Sequence, residues 1–144
     1  MNQPLKKIKV VLTDLDGTVV LPGANTASKV VIDSIRLAER HGVKFAAVTG
    51  RPFNKTQKLL KQIGFRDPCI FDGGATIANP KTGEIIWSRK IPTEIAKKAI
   101  EILEGQYVKL EFEDNQKYNA GQPVDFTKIM NPVLSIWASV PIGK

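Results

Sequence analysis

The stretch Lys9–Leu21, KVVLTDLDGTVVL, decides how the rest of the chain is read. Val10, Val11 and Leu12 have the β-branched and aliphatic character of a buried strand. The run ends abruptly at Thr13, and two aspartates follow one residue apart, Asp14 and Asp16, with Gly17 and Thr18 behind them. A strand of that composition needs a physical reason to finish in two carboxylates.

Working outward, the pattern repeats. SKVVIDSIRLAERH, residues 28–41, puts Val31, Ile35 and Ala38 at helical spacing, with Ile32 and Leu37 nearby. Ser28 or Thr26 can cap its start, and Gly42 suits the position just past its end. VKFAAVTG (43–50) reads as a second buried strand. RPFNKTQKLLKQIG (51–64) reads as a second helix, with Pro52 in its first turn and Gly64 after its end. PCIFDGG (68–74) is a third strand running into glycines. Strand, helix, strand, helix, strand implies a parallel sheet with right-handed crossovers. The pattern then changes to α+β, with a module boundary near Ser88–Ile91. ATIANPKTGEIIWS reads as two short strands joined by a turn. PTEIAKKAIEILEG is a helix with Thr93 as its cap and Ile95, Ala99, Ile102 and Leu103 inward. YVKLEFED and VLSIWASV are strands, and the segment between them, NQKYNAGQPVDFTKIMNP, reads as a loop.

In an open parallel sheet, ligands bind at the carboxyl ends of the strands. Asp14 and Asp16 lie at that end of the first strand, Thr49, Gly50 and Arg51 at that end of the second, and Asp72, Gly73 and Gly74 at that end of the third. Two carboxylates this close repel unless a cation offsets them. Hard oxygen ligands suit Mg²⁺, which keeps waters and often shares a substrate phosphate. Gly17 lets the backbone turn sharply and present its amide to an anion. Thr18 and Thr49 offer hydroxyl donors, and a carboxylate can itself be a covalent nucleophile. The residues alone point to metal-dependent phosphoryl transfer; the plainer alternative is an Asp-rich turn at a strand end. A calcium loop is excluded, because its third acidic position and later Glu are absent and a strand precedes the motif.

DLDGT after a hydrophobic strand resembles the first motif of the haloacid dehalogenase-like (HAD-like) hydrolases, and VTGR resembles their second. IFDGGATI resembles a segment of the Cof-type, sugar-phosphatase branch, subfamily IIB, with Gly73 where that branch usually carries Asn. The resemblance implies a Rossmann-like parallel sheet and a Mg²⁺-dependent phosphatase. It would act through an aspartyl-phosphate on a small phosphorylated metabolite such as a sugar phosphate. It makes Asp14 the nucleophile and a metal ligand, and Asp16 the general acid/base with its main-chain carbonyl on the metal. Thr49 becomes the phosphate-binding hydroxyl, Gly50 the amide beside the phosphate, and Gly17 and Thr18 the loop that opens the site. Arg51 matches a residue that faces the substrate, against the alternative of a surface ion pair.

One helix fills the interval between the first two strands, so no cap domain fits there, and in this family it would then follow the third strand. Residues 1–88 are accordingly expected to be the N-terminal part of a HAD-like core, and 89–144 an incomplete α+β cap that excludes water and selects the leaving group. The family's later lysine and its GDxxxD motif are absent from these residues. The expectation is therefore the front part of a longer enzyme, or a truncated gene product. Two alternatives stay open: a catalytically incomplete HAD-like domain, and a sugar phosphomutase, which shares the first motif and this cap placement.

Charge and composition bound the partners. The 144 residues carry net charge +7, and up to Ser88 there are 13 basic against 7 acidic residues, so the excess sits in the half that holds DLDGT. A basic surface favours anionic partners. Nucleic acid is the weakest reading, because Phe45, Phe53, Phe65 and Phe71 look like core or helix-face residues rather than a stacking platform. The single cysteine, Cys69, lies in an apolar run and reads as buried packing; with no internal disulfide open to it, the expected location is cytoplasmic. Cys69 and His41 together cannot build a structural zinc site, and His41 reads as a C-terminal helix residue. No apolar run reaches the roughly 18 residues of a membrane span. A sheet lacking part of its strands would leave an exposed edge, so self-association is expected.

Overall fold

The computed structural model describes residues 8–103, 107–111, 117–120 and 135–139. The chain divides into two compact units, Met1–Ser88 and Arg89–Lys144.

In the first unit β1 (Val10–Thr13) and β2 (Lys44–Ala47) pair in parallel, with Val10 opposite Lys44 and Thr13 opposite Ala47. Just past β2, Val48 bridges Ile70 of β3 (Cys69–Phe71), also in parallel, so β2 lies between β1 and β3. A 3₁₀ turn at Asp72–Gly74 follows, and β4 (Thr76–Ala78) and β5 (Ile85–Ser88) then run antiparallel in the order β3-β4-β5.

Helix α1 (Lys29–Arg40) begins where Ser28 Oγ accepts the Val31 amide at 3.4 Å, and ends at His41, whose Nδ1 lies 2.9 Å from the Leu37 carbonyl oxygen. It buries Ile32 and Ile35, with Val31 and Ala38 half-buried, while Leu37 stays exposed. Helix α2 (Phe53–Ile63) takes Pro52 as its N-cap and closes on Gly64 in the left-handed region, φ 89°. Its inward stripe, Thr56, Leu59, Leu60 and Ile63, follows the 3.6-residue period. Leu59, Leu60, Phe65, Cys69 and Phe71 are within 2% of full burial, and Phe53 packs its edge on Phe71 with centroids 5.3 Å apart. Each such large side chain contributes about 1.5–3 kcal/mol by leaving water. Cys69 is packing, as expected, and its burial pushes the thiol up. Phe45 and Phe53 rest against the same core, so the four phenylalanines form no exposed platform.

In the second unit α3 spans Thr93–Ile102. Its cap is Pro92 rather than Thr93, which is already the first helical residue. The buried side chains are Ala96 and Ile100, with the expected Ala99 and Leu103 half-buried, whereas Ile95 and Ile102 are exposed, so the inward stripe is turned by one residue from the expected one at those two positions. A one-residue offset turns a helix by about 100°, and TEIAKKAIEI is apolar enough to allow either face. Strand β6 (Tyr107–Glu111) sits between β7 (Lys117–Ala120) and β8 (Ser135–Ser139), antiparallel to both. Strand β7 corrects the loop expected there. Its KYNA sequence is poor in strand formers and too short to show an alternation, so only pairing with β6 reveals it. The rest of that expected loop, 115–116 and 121–132, lies outside the described residues. Among the described residues no helix is long and apolar enough to cross a membrane.

Candidate active site

The turn after β1 hangs on Leu15. This residue is fully buried, and its carbonyl accepts the amides of Thr18, Val19 and Val20 at 3.3, 3.0 and 2.9 Å. Val19 and Val20 are buried beside it, so the apolar residues inside the motif pin the loop to the core. Gly17 turns the chain at φ +80°, where a side chain would be strained. Its amide, however, donates to the Val20 carbonyl at 2.7 Å. The expectation that Gly17 offers its N–H to an anion is therefore corrected: that donor is spent closing the turn. Asp14 and Thr18 are left exposed on either side, and the Asp14 carboxylate accepts no hydrogen bond among the described residues.

The second and third loops hold one another. Thr49, 4% exposed, donates its amide to the Ile70 carbonyl at 3.0 Å, and its own carbonyl accepts the Gly73 amide at 3.2 Å. The Thr49 hydroxyl accepts the Arg51 amide at 3.1 Å, and the Arg51 carbonyl accepts the Asp72 amide at 3.3 Å. Asp72 is buried and adopts φ 55°, unusual for a residue with a side chain. Half-buried Gly50 lies between Thr49 and Arg51.

Arg51 crosses from the second loop to the first. Its Nε donates to Asp16 Oδ2 at 2.7 Å and its Nη2 to Asp16 Oδ1 at 2.5 Å, a two-pronged fork. Nη2 also donates to the Ala24 carbonyl at 2.9 Å, and Nη1 to Asn25 Oδ1 at 3.1 Å. The Gly23 amide adds a bond to Asp16 Oδ1 at 3.1 Å. The hydrogen bonds from Arg51 hold the Asp16 carboxyl below its ordinary range; burial opposes this and the Gly23 amide assists. In return, bonding to Asp16 raises the guanidinium, whose charge is further favoured by Asp16 and Asp14. Of the two readings of Arg51, the ion pair holds in this state, but its partner is Asp16 and it lies inside the site.

Asn25, Ala24 and Gly23 were not singled out from the sequence. LPGAN reads only as a loop, and Asn25 reaches Arg51 across 26 residues of chain. That loop is held from the other side by Gln62 of α2, which pairs with both main-chain groups of Ala27.

No group of three or more His, Cys, Asp or Glu side chains gathers among the described residues. The oxygen donors on offer to a cation are the Asp14 carboxylate and the main-chain carbonyl of Asp16, since the Asp16 side chain is engaged by Arg51. One carboxylate and one carbonyl suit Mg²⁺, which is held by few protein ligands and completes its shell with water and phosphate oxygens.

The sequence pattern of haloacid dehalogenase-like hydrolases matches residues 11–131. The chain belongs to this family. The HAD-like fold is also seen in a phosphatase of the haloalkanoate (HAD) superfamily from Bacteroides thetaiotaomicron, at TM-score 0.68 and 24% identity, over 85% of this chain and 46% of that one. A HAD subclass IIB sugar phosphatase superposes with TM-score 0.58 and 25% identity, over 76% of this chain and 42% of its own. In sequence, 72 residues are 31% identical to the glucosyl-3-phosphoglycerate/mannosyl-3-phosphoglycerate phosphatase of Persephonella marina. That match takes in 50% of this chain and 26% of the relative, so this HAD-like chain spans only part of the proteins it resembles.

Proposed function

We propose that this chain carries the nucleophile-bearing part of a Mg²⁺-dependent phosphatase, acting on a small phosphorylated metabolite such as a sugar phosphate in the cytoplasm. The observation that supports this most is the gathering of three loops at one strand edge. There an exposed, unbonded carboxylate, Asp14, stands beside a second carboxylate held in place by an arginine.

Asp14 attacks phosphorus with a carboxylate oxygen, the bond from phosphorus to the leaving oxygen breaks, and Asp16 supplies that oxygen with a proton. In the second half Asp16 takes a proton from water, the hydroxide attacks phosphorus, the bond to Asp14 breaks and inorganic phosphate departs. The pairing with Arg51 favours the carboxylate form of Asp16, the form this second half requires. For the first half Asp16 must take up a proton, and the fork from Arg51 must then loosen. The Thr49 hydroxyl, which accepts from the Arg51 amide, keeps its own hydrogen to donate to a phosphoryl oxygen. Gly50 leaves room beside that oxygen, and Thr18 offers an exposed hydroxyl from the first loop. The Asp14 carboxylate and the Asp16 carbonyl would hold Mg²⁺, which supplies positive charge to offset the phosphoryl oxygens as they approach.

The test is hydrolysis of a generic aryl phosphate by the 144-residue chain, with and without Mg²⁺, beside Asp14→Asn. Activity that requires both Mg²⁺ and Asp14 is the expected result. A folded sample with no activity above Asp14→Asn would favour the incomplete-domain reading, in which the rest of the site comes from elsewhere. Retention of the phosphoryl group on a sugar product would indicate a phosphomutase.

A further inference from the structure

Arg51 is held by more than the carboxylate it pairs with. A guanidinium carries five N–H donors in one plane. Four of them are engaged. Nε and Nη2 donate to the Asp16 carboxylate, Nη2 donates again to the Ala24 carbonyl at 2.9 Å, and Nη1 donates to Asn25 Oδ1 at 3.1 Å. Two bonds therefore go to Asp16 and two to the loop that follows the first motif. The two sets differ in kind. In the proposed chemistry Asp16 takes up a proton, and it then loses the negative charge that draws the fork. The Ala24 and Asn25 acceptors are neutral amide oxygens that do not titrate, so protonation of Asp16 leaves them as they are.

The loop that supplies these two acceptors is pinned at both ends. The Gly23 amide donates to Asp16 Oδ1 at 3.1 Å. At the other end the Gln62 carboxamide of α2 accepts the Ala27 amide at 2.9 Å and donates to the Ala27 carbonyl at 3.4 Å. Ala27 is itself buried, and Ser28 directly after it caps α1. Asn25 thus stands two residues from a point tied to both helices. Asn25 is exposed, and among the described residues its side chain bonds to Arg51 alone. Burial gives it little, so its contribution is that bond. A chance meeting of a surface asparagine with a nearby guanidinium would need neither the second acceptor from the same loop nor the clamp at Ala27.

We propose that Asn25 is a positioning residue: with the Ala24 carbonyl it holds the Arg51 guanidinium independently of Asp16, so that the carboxylate returns to one fixed partner after each proton transfer. The proton transfers rest on the phosphatase reading; the hold of Asn25 on Arg51 does not.

The Arg51 Nε–H signal of the ¹⁵N-labelled 144-residue chain, assigned by its loss in Arg51→Lys, reads that hold directly through its rate of exchange with water. Asn25→Ala should speed the exchange about three- to tenfold, the scale of one net hydrogen bond. Asn25→Asp keeps an acceptor in the same place and should stay within about twofold of wild type. Main-chain amide exchange in α2 should not change, which separates a local loosening from a general loss of stability. With an aryl phosphate and Mg²⁺, Asn25→Ala should lower kcat about three- to tenfold and leave KM within about twofold. In an Arg51→Ala background the same substitution should change kcat less than about twofold. Unchanged Nε–H exchange in Asn25→Ala overturns the inference. So does an Asn25→Asp variant that exchanges as fast as Asn25→Ala, or an equal rise throughout α2. A fall in kcat that persists undiminished without Arg51 overturns it as well. The exchange measurement needs no turnover, so an inactive wild type counts against the phosphatase reading alone.

Discussion

Arg51 is the residue through which the candidate site is assembled. It ties Asp16 to the loop carrying Ala24 and Asn25, with its side chain only 16% exposed and that of Asp16 38% exposed. On the proposed mechanism, Arg51→Ala should lower kcat/KM for an aryl phosphate about 10- to 100-fold, because the carboxylate proposed as acid/base, Asp16, would lose its aim. Arg51→Lys should recover little of this, since an ammonium cannot reproduce the planar fork. The stability cost, read by urea denaturation, should be about 1 kcal/mol or less, because Asp16 is partly open to solvent and screened. The sign of the pH effect follows from the lowered Asp16 carboxyl. The pair contributes fully above the ordinary carboxylate range, and that contribution is lost as pH falls through the folded value. The gap between the unfolding midpoints of wild type and Asp16→Asn should therefore close on acidification from about pH 7 toward about pH 3. Asp14, Asp16, Thr49 and Arg51 were all legible as a set, because polar groups cluster just past the carboxyl ends of β1 and β2. Their bonding was not legible: the fork from Arg51 to Asp16 and the spending of the Gly17 amide depend on how two loops meet.

At the scale of elements, the helices α1 and α2 were legible almost to the residue. Their apolar residues recur with the helical period, and Ser28, Gly42, Pro52 and Gly64 punctuate them. The elements that escaped did so for definite reasons. Strand β7 contains Asn and Lys, and its pairing partner lies on another strand. Helix α3 has apolar residues on adjacent stripes, so periodicity did not select between Ile95 and Ala96. The difference between a covered and an uncovered face is measurable. Leu60 of α2 is 1% exposed, and Leu60→Ala should cost about 2–5 kcal/mol through lost burial and a residual cavity. Leu12 of β1 is 61% exposed, and Leu12→Ala should change stability by about 0.5 kcal/mol or less. Thermal or urea unfolding of the two variants side by side checks both values.

For the whole molecule, two features stand out. The core of the first unit lies where α1 and α2 cover the sheet, while Ile8, Val10 and Leu12 leave one side of β1 apolar and open. The family relatives are longer than this chain, which spans 46% and 42% of the two superposed structures.

The sequence by itself determined the α/β order of the first unit and the family. Both rest on local signals, carried by periodicity, by turn residues and by polar groups at strand ends. The tertiary structure alone decided the partner of Arg51, the closure of the Gly17 turn and the inward face of α3. Each of those depends on which segments, distant in the chain, compete for the same hydrogen bond or the same apolar surface.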